Sequence, residues 1–150
     1  MRVFYFAYGS NMKTSRIAGR VPSVEALGVA RLDGFRLAMN KRGRDGSAKA
    51  NIEESSADSV FGVLFTLEEG HWEMLDVFER GYVRREVQVF HEGTLRTSVT
   101  YVCERATQDL VAFDWYLDLM KSGAEEHGLP ARYREELGGI PTVPDPKRNP

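Results

Sequence analysis

The chain has 150 residues, of which 42% are hydrophobic and 28% charged, with a formal net charge of −2. That length suits one domain with a real core, and the slightly acidic balance excludes the basic footprint of a nucleic-acid partner. No apolar run approaches the roughly 20 residues that cross a bilayer, the first residues lack a signal-peptide layout, and the single cysteine, Cys103, allows no intramolecular disulfide, so a cytoplasmic protein with no membrane partner is expected.

The run Val3-Phe4-Tyr5-Phe6-Ala7 is β-branched and aromatic, the composition of a buried strand. Tyr8-Gly9-Ser10-Asn11 then turns, and residues 12–18 follow as a short helix with Gly19 just past its end. A strand, a tight loop and a helix start aim backbone N–H groups at one spot, where the helix dipole also favours an anion. By spacing alone this loop either grips a carboxylate or phosphate or merely joins two elements.

Residues 24–39 read as extended structure interrupted at Asp33-Gly34, a turn or bulge signal. Residues 40–49 are polar and glycine-dotted and read as a loop, with Lys41, Arg42 and Arg44 as solvated charges. A short strand at 50–52 and a polar connection at 53–59 lead into 60–67, an unbroken apolar run that reads as a strand buried on both faces.

Residues 68–79 switch to helical spacing, with Thr66 and Glu69 as a capping pair, Trp72, Leu75 and Phe78 toward the core, and Gly81 at the stop. Residues 82–90 and 95–103 alternate and form a hairpin across His91-Glu92-Gly93-Thr94, which makes Cys103 a buried, inert thiol. Residues 110–120 form an amphipathic helix carrying Phe113, Tyr116, Leu117 and Met120 on one stripe, broken at Gly123 and at Gly128-Leu129-Pro130. A second short helix covers 131–137, and 141–150 is a proline-rich tail, extended or disordered. Strands outnumber helices and cluster in hairpins, which predicts a single α+β domain over residues 1–140, with a strongly bent, barrel-like mixed sheet flanked by helices.

Glu79 is four residues after Leu75 and seven after Trp72, so on a helix the three share a face. A carboxylate on an apolar stripe in a last turn is pushed toward its neutral form by burial and by the helix dipole, which suits a general base working near neutral pH. The other reading puts Glu79 at the surface, paired with Arg80, Arg84 or Arg85. Asp76 falls off that face and reads as a surface residue. His71, His91 and His127 share no metal-ligand spacing with one another or with Cys103, and read as surface residues.

The run Tyr5-Phe6-Ala7-Tyr8-Gly9-Ser10-Asn11 resembles the signature of the γ-glutamylcyclotransferase family, the AIG2-like group. Leu75-Asp76-Val77-Phe78-Glu79 resembles the stretch that carries that family's catalytic acid, except that Arg80 intervenes before Gly81. The likeness extends through Val29-Ala30-Arg31-Leu32, Val60-Phe61-Gly62-Val63-Leu64 and the segment from Tyr116 to Pro130.

The resemblance implies the family's fold, and an enzyme that cyclises a γ-glutamyl amide to 5-oxoproline with no metal or other cofactor. It implies Glu79 as general acid and base, and Tyr5, Phe6, Ala7, Tyr8, Gly9, Ser10, Asn11 and Tyr116 as substrate-binding residues. Read from its helix stripe alone, Tyr116 is as readily a core residue. The leaving group stays open between an amino acid, an amine and the product of removing a γ-glutamyl protecting group. A small-carboxylate-binding module without activity is the reading from another class, and a homodimer is left open.

Overall fold

The computed structural model describes residues 1–148. Strand β1 (Arg2–Ala7) lies antiparallel to β3 (Ala48–Glu68), in register from Arg2 opposite Glu68 to Ala7 opposite Val63. Strand β2 (Glu25–Arg42) runs antiparallel along β3, and β4 (Val83–His91) and β5 (Thr94–Val102) form a hairpin. β4 meets β2 where Phe90 faces Arg31, and β5 returns parallel to β1 where Val99 faces Tyr5. The order β1-β3-β2-β4-β5 therefore closes into a barrel, which removes the exposed edges of an open sheet. The expected α+β class and barrel-like mixed sheet are what the chain adopts.

Two lengths differ from expectation. Asp33-Gly34 bulges without ending β2, which runs on to Arg42, and Gly34 supplies a φ of +83° for the bend. Residues 53–59 are no connection but the middle of the 21-residue β3. Their polar side chains stay outside and pair across strands, as in Arg36 to Glu53 at 2.6 Å and Arg85 to Glu54 at 2.8 Å. Glu53, Glu54 and Ser59 pair with β2 despite a weak intrinsic strand preference, and residues 55–58 fall in the register shift between Asp33 and Phe35. The 60–67 run is buried as expected: Phe61 packs on Tyr133 at 5.3 Å between ring centres and Phe65 on His127 at 5.9 Å, while Val60 and Leu64 are fully enclosed.

The helices sit outside the barrel. A 3₁₀ turn (Ser10–Met12) precedes α1 (Thr14–Arg20), so Gly19 lies inside α1 and not beyond it. α2 is Trp72–Phe78, preceded by a 3₁₀ turn and not by a Thr66 side-chain cap. Trp72 and Leu75 are buried as expected, but Phe78 is 51% exposed, with the Arg20 guanidinium 4.7 Å above its ring.

α3 (Asp114–Glu126) runs straight through Gly123. A Cβ there would lie 2.5 Å from the carbonyl carbon of Met12, so the glycine lets the 3₁₀ turn dock against the helix instead of breaking it. Phe113 belongs to a short strand β6 (Ala112–Phe113), which pairs in parallel with β7 (Thr142–Val143) beyond α4 (Ala131–Gly138). The segment after Pro141 is thus docked: Asp145 is buried and accepts the Trp115 indole N–H at 2.9 Å. The end of the expected tail, residues 149–150, lies outside the described residues.

The three histidines are not plain surface groups. His91 is buried with Nδ1 3.0 Å from the Val29 carbonyl oxygen, His127 Nε2 is 2.9 Å from Thr14 Oγ1, and His71 Nδ1 is 2.7 Å from Ser23 Oγ. Among the described residues no helix is long and apolar enough to cross a membrane.

Candidate active site

A cavity of about 500 Å³ opens at one side of the barrel, where the loop after β1, α1, the β2–β3 turn, the end of α2 and the start of α3 converge. Among the described residues, six cationic side chains line it, Arg16, Arg20, Lys41, Arg44, Lys49 and Arg80, against two carboxylates, Asp45 and Glu79. Such a field draws in anionic ligands.

The loop after β1 forms part of the wall. Gly9 is needed there for closeness: a Cβ would fall 3.2 Å from Ala50 Cβ and 3.3 Å from the Tyr116 hydroxyl. The amides of Met12 and Lys13 close the 3₁₀ turn onto the carbonyls of Gly9 and Ser10. Those of Gly9, Ser10 and Asn11 have no acceptor among the described residues. Three successive donors at a cavity wall form the kind of nest that holds an anion. Ser10 Oγ accepts from Arg16 Nε at 3.0 Å.

Glu79 arrives from the far end of α2. Its amide still bonds back to the carbonyls of Leu75 and Asp76, but its backbone has left the helix (φ −106°, ψ 37°). A tight turn follows, with Tyr82 N–H on the Glu79 carbonyl at 3.1 Å and Gly81 at φ +89°. Arg80, the residue that departs from the family pattern, sits in this turn at the cavity rim. The Glu79 side chain is only 13% exposed and sits 4.0 Å from Arg20. The surface pairing with Arg80, Arg84 or Arg85 does not form; Arg84 instead pairs with Asp76 at 3.2 Å. Burial pushes the Glu79 carboxyl above the ordinary carboxylate range, while Arg20, the Asn11 hydrogen bond, Lys41 and Arg16 pull it partly back.

Asn11, expected as a substrate-binding residue, has its side chain engaged within the protein. Its Nδ2 donates to Glu79 Oε1 at 2.7 Å and to the Tyr5 hydroxyl at 3.0 Å, and its Oδ1 accepts from Arg20 at 3.0 Å. Both amide protons are occupied by protein, so only the Asn11 backbone N–H is left for a ligand.

Of the other expected site residues, Tyr5, Tyr8 and Tyr116 line the cavity, whereas Phe6 and Ala7 do not. Phe6 points to the other face of β1 by strand alternation and is fully buried. Ala7 is closed in under Gly62, where any Cβ would sit 2.3 Å from the Ala7 carbonyl oxygen. Tyr116 accepts the Ala50 N–H at 3.0 Å, so its own O–H remains free to donate. Burial raises the Tyr5, Tyr8 and Tyr116 phenols, with Glu79 nearby adding to the effect, and all three stay neutral donors.

Sequence reasoning missed Arg16 and Arg20, which stand four apart on α1 and thus share the face turned to the cavity. Their signal was that spacing directly after an anion loop. It also missed Lys49, whose ammonium bonds Asp45 at 3.1 Å and stands 4.6 Å from both the Trp115 and Tyr116 rings. Nothing in its loop-like sequence context marked it.

Comparison with known proteins agrees with the residues that carry the likeness. Residues 59–137 match the model of the AIG2-like family. The γ-glutamylcyclotransferases of Homo sapiens and Bos taurus are each 35% identical over 146 residues, covering 91% of this chain and 77% of the relative. A solved γ-glutamyl cyclotransferase superposes with a TM-score of 0.89 at 32% identity, covering 95% of this chain and 90% of the other. With its barrel, its loop and its buried acid in place, the chain belongs to the AIG2-like family of γ-glutamylcyclotransferase enzymes.

Proposed function

We propose that the protein converts a γ-glutamyl amide into 5-oxoproline and a free amine or amino acid, with Glu79 carrying the protons. One observation supports this above the rest: Glu79, shielded from solvent, lines the same cavity as three loop amides that lack protein acceptors.

The substrate's α-carboxylate is held by the amides of Gly9, Ser10 and Asn11, with Arg16 behind Ser10. So held, the substrate's own α-amine can fold back onto its γ-carbonyl. Well-oriented ring closure of this sort can gain about 7–11 kcal/mol over a loose encounter. The α-ammonium gives a proton to Glu79, and the freed lone pair attacks the γ-carbon. The carbonyl oxygen becomes an oxyanion within reach of neutral O–H donors such as Ser10 and Tyr116. As the oxyanion collapses, the bond to the leaving nitrogen breaks. The attacking nitrogen loses a second proton and becomes the lactam N–H. Both protons end on the leaving nitrogen, delivered through Glu79, so the carboxylate is restored.

Incubation of the purified protein with a panel of γ-glutamyl dipeptides and γ-glutamylamines tests this. Release of 5-oxoproline that disappears in Glu79→Gln is expected. An unchanged rate in that variant removes Glu79 from the chemistry, and no release from any substrate overturns the reading.

A further inference from the structure

Three of the six cavity cations make no side-chain bond within the described residues. Arg20 stands by Glu79, Lys49 is paired with Asp45, and Arg16 is bonded to Ser10. Lys41, Arg44 and Arg80 line the same cavity, yet their side chains have neither an ion-pair nor a hydrogen-bond partner among the described residues. They come from two separate elements, the β2–β3 region and the turn after α2, and line one cavity.

Lys41 is held there by packing. Its ammonium is 5.1 Å from the centre of the Tyr82 ring, and the Tyr82 hydroxyl is itself fixed to the Ala50 carbonyl at 2.6 Å. Its chain crosses Gly81 so closely that a Cβ on that glycine would lie 2.8 Å from Lys41 Cε and 3.1 Å from Nζ. Arg80 is the residue by which this chain departs from the family's acid-then-glycine stretch, so the departure itself adds a positive charge beside the catalytic carboxyl.

Resting on the function proposed above, we infer that Lys41, Arg44 and Arg80 form an anion subsite for the leaving group, so that the preferred substrates are γ-glutamyl amides whose departing amino acid bears a second, side-chain carboxylate. The loop amides take the glutamyl carboxylate on one side of Glu79. The departing half then extends past Glu79 toward the rim, where its carboxylates meet the unpaired cations. Cyclisation leaves those carboxylates untouched: the amide C–N bond is exchanged for the lactam C–N bond, and an acidic amino acid leaves.

The experiment compares kcat/KM for γ-glutamyl-glutamate with that for its neutral isostere γ-glutamyl-glutamine, in the wild type and in K41M, R44Q, R80Q and R80E. The read-out is the ratio of the two substrates within each variant, because Lys41 also acts on Glu79 and alters both rates. A wild-type ratio of about 5 in favour of the acidic substrate is expected, the size that two or three partly exposed ion pairs produce together. It should reside mainly in KM and shrink as salt is added. The ratio should fall toward one in K41M and R80Q and lower still in R80E. Turnover of both peptides with a wild-type ratio of one or less overturns the subsite while leaving the cyclotransferase reading intact. A ratio that stays at the wild-type value in every variant assigns the preference elsewhere and overturns it too. Release of 5-oxoproline from other γ-glutamyl amides but from neither of these two peptides overturns the subsite alone, and release from no member of the wider panel overturns the function reading and this inference with it.

Discussion

Asn11 Nδ2 lies 2.7 Å from Glu79 Oε1, joining two residues 68 positions apart in the chain. The same amide group donates to Tyr5, and its oxygen is fixed by Arg20. A residue of the loop after β1 thus aims the acid at the end of α2, and the two halves of the site are one hydrogen-bonded unit.

That unit predicts the behaviour of Asn11→Ala. Glu79 keeps its burial but loses the bond that sets its direction, and a displacement near 1 Å at a reacting group can lower the rate by about 100-fold. Steady-state kinetics should show this loss in kcat more than in KM. A variant with normal kcat and a raised KM would return Asn11 to the substrate-binding role expected from the motif.

Arg20 predicts a shift in pH dependence. In the proposed reaction Glu79 must be ionised to accept a proton, so kcat/KM is expected to fall as pH drops through its raised pKa. Arg20 is the largest influence holding that pKa down. In Arg20→Gln the acid limb of the kcat/KM profile should therefore move to higher pH. A limb that stays in place or moves to lower pH contradicts the assignment of that limb to Glu79.

Glu79→Gln separates activity from stability. Loss of the proposed proton carrier should lower turnover by roughly 100- to 10,000-fold. Because the folded state raises the Glu79 pKa, its stabilising effect is full below the unfolded carboxylate pKa and is lost as pH rises through the folded value. At neutral pH the ionised side chain is therefore a liability that glutamine lacks. The variant's Tm at pH 7 should match or exceed the wild type, with the gap narrowing as pH is lowered through the carboxylate range. A clearly lower Tm at pH 7 that persists in acid would mark Glu79 as a structural group.

Gly123→Ala tests how the site is docked. The added methyl meets the Met12 backbone at 2.5 Å, and overpacking of this kind typically costs about 1–3 kcal/mol. Urea unfolding should show a lower midpoint with an unchanged slope. A midpoint equal to the wild type, despite alanine's better helix propensity, would mean that the 3₁₀ turn and α3 separate readily.

Much of this molecule was legible in local pattern. The aromatic strand followed by Tyr-Gly-Ser-Asn, the apolar run at 60–67 and the hairpin at His91 to Thr94 are set by short-range propensity and alternation, and they stand where the residues put them. Helical spacing put Trp72 and Leu75 on the core face, whereas Glu79 is enclosed from the residue just past the helix.

Tertiary structure decided what no local period encodes. It extended β3 through polar residues because β2 lay alongside to pair with them, kept Gly123 inside a helix because another backbone pressed against it, and docked residues 142–145 against β6 and Trp115. It also joined the Asn11 side chain to Glu79, and gathered Arg16, Arg20, Lys41 and Arg80 around one cavity. Those outcomes depend on distances between segments far apart in sequence, fixed only when the barrel closes. Residue order alone therefore determined which elements and which acid this protein has, and barrel closure decided what surrounds that acid.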